Sequence, residues 1–183
     1  ALAPATVLDV SNYSLSGEGT SGVLVQSISG SGMGPYTLVL SALLKNGSVT
    51  VQIENLEDLY GNVIAPFSNQ FNVDSVAPSI FNTVPTDGIS INQNAPIVQV
   101  NFNEKVKSGA TGSGVHNPAN YTFTGTGANG VVVTSVSGSN EGPYLFTLSG
   151  TFANGGVTLS ILGIADEYEN TIDVVESTTF YVN

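Results

Sequence analysis

The sequence predicts an all-β protein: two antiparallel β-sandwich domains in tandem, the first short of its N-terminal strands. Three observations point to this. Apolar and polar residues alternate at period two, turn residues break the chain at short intervals, and one long segment occurs twice.

The alternation is clearest at Val49, Val51 and Ile53 with Thr50 and Gln52 between them, and at Val98, Val100 and Phe102 with Gln99 and Asn101 between them. Such spacing places one side of a strand in a core and the other in water, as in an antiparallel sheet. Val23/Val25, Leu38/Leu40, Val131/Val133, Phe146/Leu148 and Val157/Leu159/Ile161 repeat the pattern, and Phe71-Asn72-Val73-Asp74 reads as a closing strand. Turn clusters lie between them, among them Asn46-Gly47, Ser137-Gly138-Ser139-Asn140 and Asn154-Gly155-Gly156. No helix is expected, because strong helix formers are scarce. Short strands with regular turns indicate a sandwich or barrel.

The repeat sets the domain count. Residues 12–64 align with residues 120–172 at a constant offset of 108, with 25 of 53 positions identical. Asn12-Tyr13 matches Asn120-Tyr121, and Gly34-Pro35-Tyr36 matches Gly142-Pro143-Tyr144. Asp58-Leu59-Tyr60-Gly61-Asn62 matches Asp166-Glu167-Tyr168-Glu169-Asn170. Repetition at a domain-sized period marks a modular array. The expected domains are residues 1–74 and 75–183. The second can bury an ordinary core, whereas the first is near the size where a lone core is marginal.

Charge narrows the function classes. The chain of 183 residues has 14 carboxylates against three lysines and no arginine, a formal net charge of −11. Nucleic-acid binding needs phosphate-neutralising cations, so no nucleic-acid partner is expected. Attraction to an anionic membrane is disfavoured for the same reason, and no apolar run is long enough to insert. Cysteine is absent, which removes disulfides and thiolate chemistry. No signal-like segment opens the chain, so any export signal is expected to have been removed. His116, the only histidine, cannot make a metal site alone. No nucleophile elbow or carboxylate-flanked cleft is legible, and no enzyme activity is expected.

Ala77-Pro78, the turn Pro85-Thr86-Asp87-Gly88, the strand Phe102-Asn103-Glu104-Lys105-Val106, Asn117 to Tyr121 and the Asp166 to Asn170 loop follow one another in the second copy. In that order and spacing they resemble the Ig-like domains of bacterial surface-layer proteins and large adhesins. The first copy keeps the Asp-x-x-Gly-Asn turn of such domains as Asp58 to Asn62; the second has Glu169 at the glycine. The resemblance implies an Ig-like sandwich, an extracellular, cell-surface setting and a structural or adhesive role.

On this reading the first domain lacks the counterparts of the strands at 80–82 and 98–102. Unpaired edges template pairing with another chain. A neighbouring copy could fill the gap by β-strand addition, and a head-to-tail contact of that kind builds an open filament, tube or layer. Residues 1–10, with apolar Leu2, Val7, Leu8 and Val10, are the expected donor strand. The expected function is therefore a secreted structural protein that assembles with copies of itself. The alternative is the stalk of an adhesin that binds a foreign surface or carbohydrate.

Calcium is the expected cofactor, stiffening the domains. It takes six to eight oxygen ligands. Asp58, Asn62, Asp166, Glu167 and Asn170 offer such oxygens in the paired turns, and Asp74, Asp87 and Glu104 could join them. Capping of the turn's own backbone is the competing use of these residues. The tyrosines recurring in both copies (13/121, 36/144, 60/168) read as core or corner residues.

Overall fold

The computed structural model describes residues 1–92 and 95–183, and they form an all-β sandwich protein. The chain divides into two compact units, Ala1–Ser75 and Val76–Asn183.

The second unit holds two four-stranded sheets. One is ordered β10(Val133–Ser137), β11(Tyr144–Leu148), β8(Gln99–Phe102), β6(Ile80–Val84). The other is ordered β7(Ser90–Ile91), β13(Glu176–Val182), β12(Gly155–Ile161), β9(Tyr121–Thr124). All pairings are antiparallel except β7 with β13. Inward residues of both sheets share one core: Val98, Val100, Phe102 and Phe146 from the first, and Phe123, Val157, Leu159, Ile161 and Phe180 from the second. Edge-on ring contacts run through it, Phe152 packing on Phe123 at 5.2 Å and on Phe180 at 5.5 Å. The alternation in the sequence is thus the alternation of the pleat.

The first unit has five strands. β1(Tyr13–Ser16), β4(Gly47–Ile53) and β5(Phe67–Val73) form a three-stranded antiparallel sheet in the order β1-β4-β5. β2(Val25–Ser29) and β3(Thr37–Leu40) form a two-stranded one. β1, β2 and β4 stand at the repeat offset from β9, β10 and β12, and even the bulge between Val25 and Ser27 recurs between Val133 and Ser135. β5 corresponds to β13 after one inserted residue, since Phe71 pairs with Val49 as Phe180 pairs with Val157. Among the described residues, β6, β7 and β8 have no counterparts in the first unit.

That difference decides burial. Among the described residues, four hydrophobic residues of the first unit are buried, Val7, Tyr13, Val23 and Val49, against 22 in the second, and the continuous core lies in the second. Phe180 is 1% exposed and its equivalent Phe71 is 41% exposed.

Residues 1–10, the expected donor strand, are not one extended strand in this structure. Pro4–Val7 is one turn of α-helix, started by a proline where no amide partner is needed, and Val10–Asn12 is a 3-10 turn. One turn is too short to leave a periodic signature. The segment docks on its own unit: Leu2 bridges Asp58, Val7 is buried, and Leu2 is half-buried, while Leu8 and Val10 are exposed.

Candidate functional site

The two Asp-to-Asn turns are built alike. Asp58 Oδ1 accepts from the amides of Tyr60 (2.8 Å) and Asn62 (2.9 Å), and Oδ2 from Asn62 Nδ2 (2.8 Å). Asp166 makes the same three bonds with Tyr168 and Asn170, at 2.8, 2.9 and 2.7 Å. Each aspartate therefore holds its own loop closed, which is the capping use of these residues. The Asn62 side chain, followed by its backbone amide, holds the Asp58 carboxyl below its ordinary value of 3.8, as donors to a carboxylate do. Gly61 and Glu169 both adopt left-handed backbone, at φ of 79° and 70°, so the turn keeps its shape although the second copy has no glycine there. The tyrosines of these turns point outward, Tyr60 91% and Tyr168 70% exposed, which corrects their assignment to core or corner.

The other two tyrosine pairs are structural. Tyr13 Oη donates to the Val7 carbonyl (2.8 Å) and Tyr121 Oη to the Val115 carbonyl (2.5 Å), pinning the approach to each first strand. Tyr36 and Tyr144 donate likewise to Gly32 and Asn140, both at 2.9 Å. Burial raises the Tyr121 hydroxyl pKa and pushes that of Tyr144 up to about 12.

The expected metal ligands separate into groups. Asp166 is 1% exposed, and one of its carboxylate oxygens lies within 4.8 Å of one of half-buried Glu104. Val106, which bridges Asp166 in antiparallel register, brings the two together. Asn170 adds its side chain through Asp166. Glu167 instead pairs with Lys105 at 2.8 Å on the surface, and Glu169 with Lys107, so Glu167 is turned away to a cation of the chain itself. Asp87 is not part of this group. Its Oδ1 accepts from the Thr179 amide (2.7 Å) and Thr178 Oγ1 (3.3 Å), tying the Pro85–Gly88 turn to β13. Asp74 belongs to the first unit, one residue beyond β5. Ala1–Ala3 take the backbone place of Lys105–Lys107 beside the Asp58 turn.

Two positions escaped the sequence reading. Glu176 Oε2 accepts from the Ile80 amide at 2.5 Å and so fastens β6 to the start of β13. Leu2 bridges Asp58 as Val106 bridges Asp166. The second correspondence runs at an offset of 104, and four extra residues after Lys107 hide it from an ungapped alignment.

The open edges of the first unit are the other candidate site. Among the described residues, β3 pairs only with β2, whereas its counterpart β11 lies between β10 and β8, and β5 pairs only with β4, whereas β13 lies between β12 and β7. Beside them Leu40, Ala42, Leu43, Leu44 and Val73 line an apolar depression of about 540 Å³. Leu44 stands where the second unit has Phe152, so the ring that closes that core is missing here. Among the described residues, no helix is long and apolar enough to cross a membrane. No family model and no curated protein matches the sequence.

Proposed function

We propose that this chain is a non-enzymatic, extracellular structural protein built of tandem Ig-like sandwiches. It joins copies of itself into a surface layer, filament or tube by adding a β-strand at the first unit. One observation carries the reading: the first unit leaves open the two strand edges that the second unit covers with its own β8 and β7. Unpaired edges beside an exposed apolar surface favour pairing with another chain. The chain's motifs in their order support the Ig-like, cell-surface part of the reading.

Calcium is the cation this reading uses, in the second unit. Oxygens within 4.8 Å of each other can both contact an ion that binds oxygen at roughly 2.3–2.6 Å, which Glu104 and Asp166 satisfy. Backbone carbonyls and water would complete the shell. When bound, the ion would neutralise two close carboxylates and tie the Val106 segment to the Asp166 turn.

Light scattering and electron microscopy, with calcium and with a chelator, test the proposal. Growth into regular polymers supports assembly; a monodisperse particle at all calcium concentrations overturns it. Glu104→Gln should weaken calcium binding by calorimetry about tenfold or more, since it removes a charged ligand. Unchanged binding would remove the ion from this position.

A further inference from the structure

β6 and β8 of the second unit pair with one irregularity. Ile80 stands opposite Phe102 and Asn82 opposite Asn101, so Phe81 is the extra residue of a bulge. A bulge re-aims the side chain it inserts, and bulges are frequent beside binding sites. Phe81 is 71% exposed, whereas Thr83 of the same strand is 7% exposed. A lone exposed phenylalanine needs no explanation. This one lines two depressions. The larger, of about 480 Å³, is also lined by Asn82, Asn101, Asn103, Glu141 and Gly142. The smaller, of about 410 Å³, shares Phe81 and Asn82 and adds Thr86, Asp87 and Glu176. Both volumes fall in the range of small-molecule sites, about 300–1,000 Å³.

The fold holds the amides in place. Asn101 Nδ2 donates to Asn82 Oδ1 at 2.6 Å, and Asn103 Oδ1 accepts from the Ser79 amide at 2.7 Å. These bonds use part of each amide's donors and lone pairs and leave the rest for a ligand. A Cβ on Gly142 would stand 2.9 Å from Asn101 Oδ1, so the glycine leaves room beside that oxygen. No lysine or histidine lines either depression, and the chain has no arginine. Lys105, two residues beyond Asn103, is turned to Glu167 at 2.8 Å. An anionic ligand would therefore meet carboxylates and no counter-charge. A cation is poorly served as well. Glu176 and Asp87 each already accept from a backbone amide, of Ile80 and of Thr179, and Glu141 alone falls short of an oxygen shell.

An uncharged ligand with one flat apolar face and a rim of hydroxyls suits these walls. A pyranose ring with equatorial hydroxyls is such a group. Its axial C–H bonds are weakly positive and stack on the negative face of an aromatic ring. Its hydroxyls donate and accept at once, as amide and carboxylate partners require. We infer that Phe81 and the amides around it bind a neutral, β-linked glucan-type oligosaccharide. The ring stacks on one sugar, Asn82, Asn101 and Asn103 bond its hydroxyls, and Glu141 accepts from one more. Because the two depressions share Phe81 and Asn82, the ligand is a chain of several sugars rather than one. The inference stands apart from the assembly reading, which concerns the first unit.

Saturation-transfer difference NMR on the full chain tests it, and the method tolerates particles of any size. With cellotetraose as the probe, the axial ring protons should receive the strongest transfer, and glucose should receive far less. Phe81→Ala should weaken cellotetraose binding about tenfold, the size expected for losing one stacked aromatic. Phe81 is exposed, so the variant should keep the native circular dichroism spectrum. Phe81→Trp should keep or tighten binding, which guards against a folding defect being read as a lost contact. Glu141→Gln should leave binding nearly unchanged, because the amide still meets a hydroxyl. No transfer to cellotetraose, or transfer indifferent to Phe81→Ala, overturns the inference. Glucose binding as well as cellotetraose overturns the extended site. A stronger response to tetragalacturonate or to spermidine, or loss of binding in Glu141→Gln, overturns the neutral sugar in favour of charge recognition.

Discussion

The two units put nearly the same sequence into two different environments. Tyr13 and Tyr121 make the same hydrogen bond, Asp58 and Asp166 close the same turn, and β4 and β12 occupy the same place in their sheets. Yet Phe180 is buried and Phe71 is not. Local structure in the repeat is thus carried by local sequence, and burial is carried by what lies across from it. Three strands separate a closed sandwich from an open one. Removing β6, β7 and β8 leaves the turns, corners and hairpins in place and takes away the covering layer.

The largest test of this contrast is to truncate the equivalent phenylalanines. Phe180→Ala should cost about 3–5 kcal/mol in the second unit's urea transition, because it empties a filled core. Phe71→Ala should cost less than about 1 kcal/mol in the first, since surface positions contribute little. Equal costs would mean that Phe71 is covered in solution, as a bound strand would cover it. Removing the shared hydroxyl is the middle-sized test. Tyr121→Phe and Tyr13→Phe should each cost about 0.5–1.5 kcal/mol, the worth of one hydrogen bond, and the unpaired carbonyl could add to it. Similar values in both would sharpen the view that corners are local. A loss confined to Tyr121 would break it.

The smallest effect concerns pH. The Asp58 carboxyl is held below its ordinary value in the folded state by the Asn62 side chain and amide. A depressed folded value means that the bond contributes stability above the unfolded value of 3.8, and that this is lost as pH falls through the folded value. Nuclear magnetic resonance titration of Asp58 should give a midpoint below 3.8, and the first unit should lose stability below about pH 4. Asp58→Asn should flatten that part of the pH profile. A titration midpoint at or above 3.8 would sink the assignment.

Much of the fold was legible because period-two alternation is a direct consequence of the pleat. Val49, Val51 and Ile53 lie in β4, Val98 just precedes β8 while Val100 and Phe102 lie in it, and Val157, Leu159 and Ile161 lie in β12. Pairing partners were not legible. β8 lies between β6 and β11, some forty residues further on, and nothing near Gln99 encodes that neighbour. The candidate site was legible only in part. Aspartate and asparagine in a turn have the same composition whether they bind a cation or cap their own amides. Only distances separate Asp58, engaged with its own loop, from Asp166, which has Glu104 beside it. Residues 1–10 share this ambiguity: apolar residues in such a segment suit an extended strand and a docked turn equally, and in this structure Pro4–Val7 is a turn with Val7 buried.

By itself the sequence determined what depends on neighbours along the chain: strand periodicity, turn positions, the repeat, the acidic excess and the absence of cysteine chemistry. Tertiary structure alone decided which strands cover which, which carboxylates meet, and that equivalent phenylalanines are buried in one unit and exposed in the other. The physical reason is that backbone conformation responds to local sterics and hydrogen bonding, whereas burial and charge proximity depend on segments distant in the chain that only folding brings together.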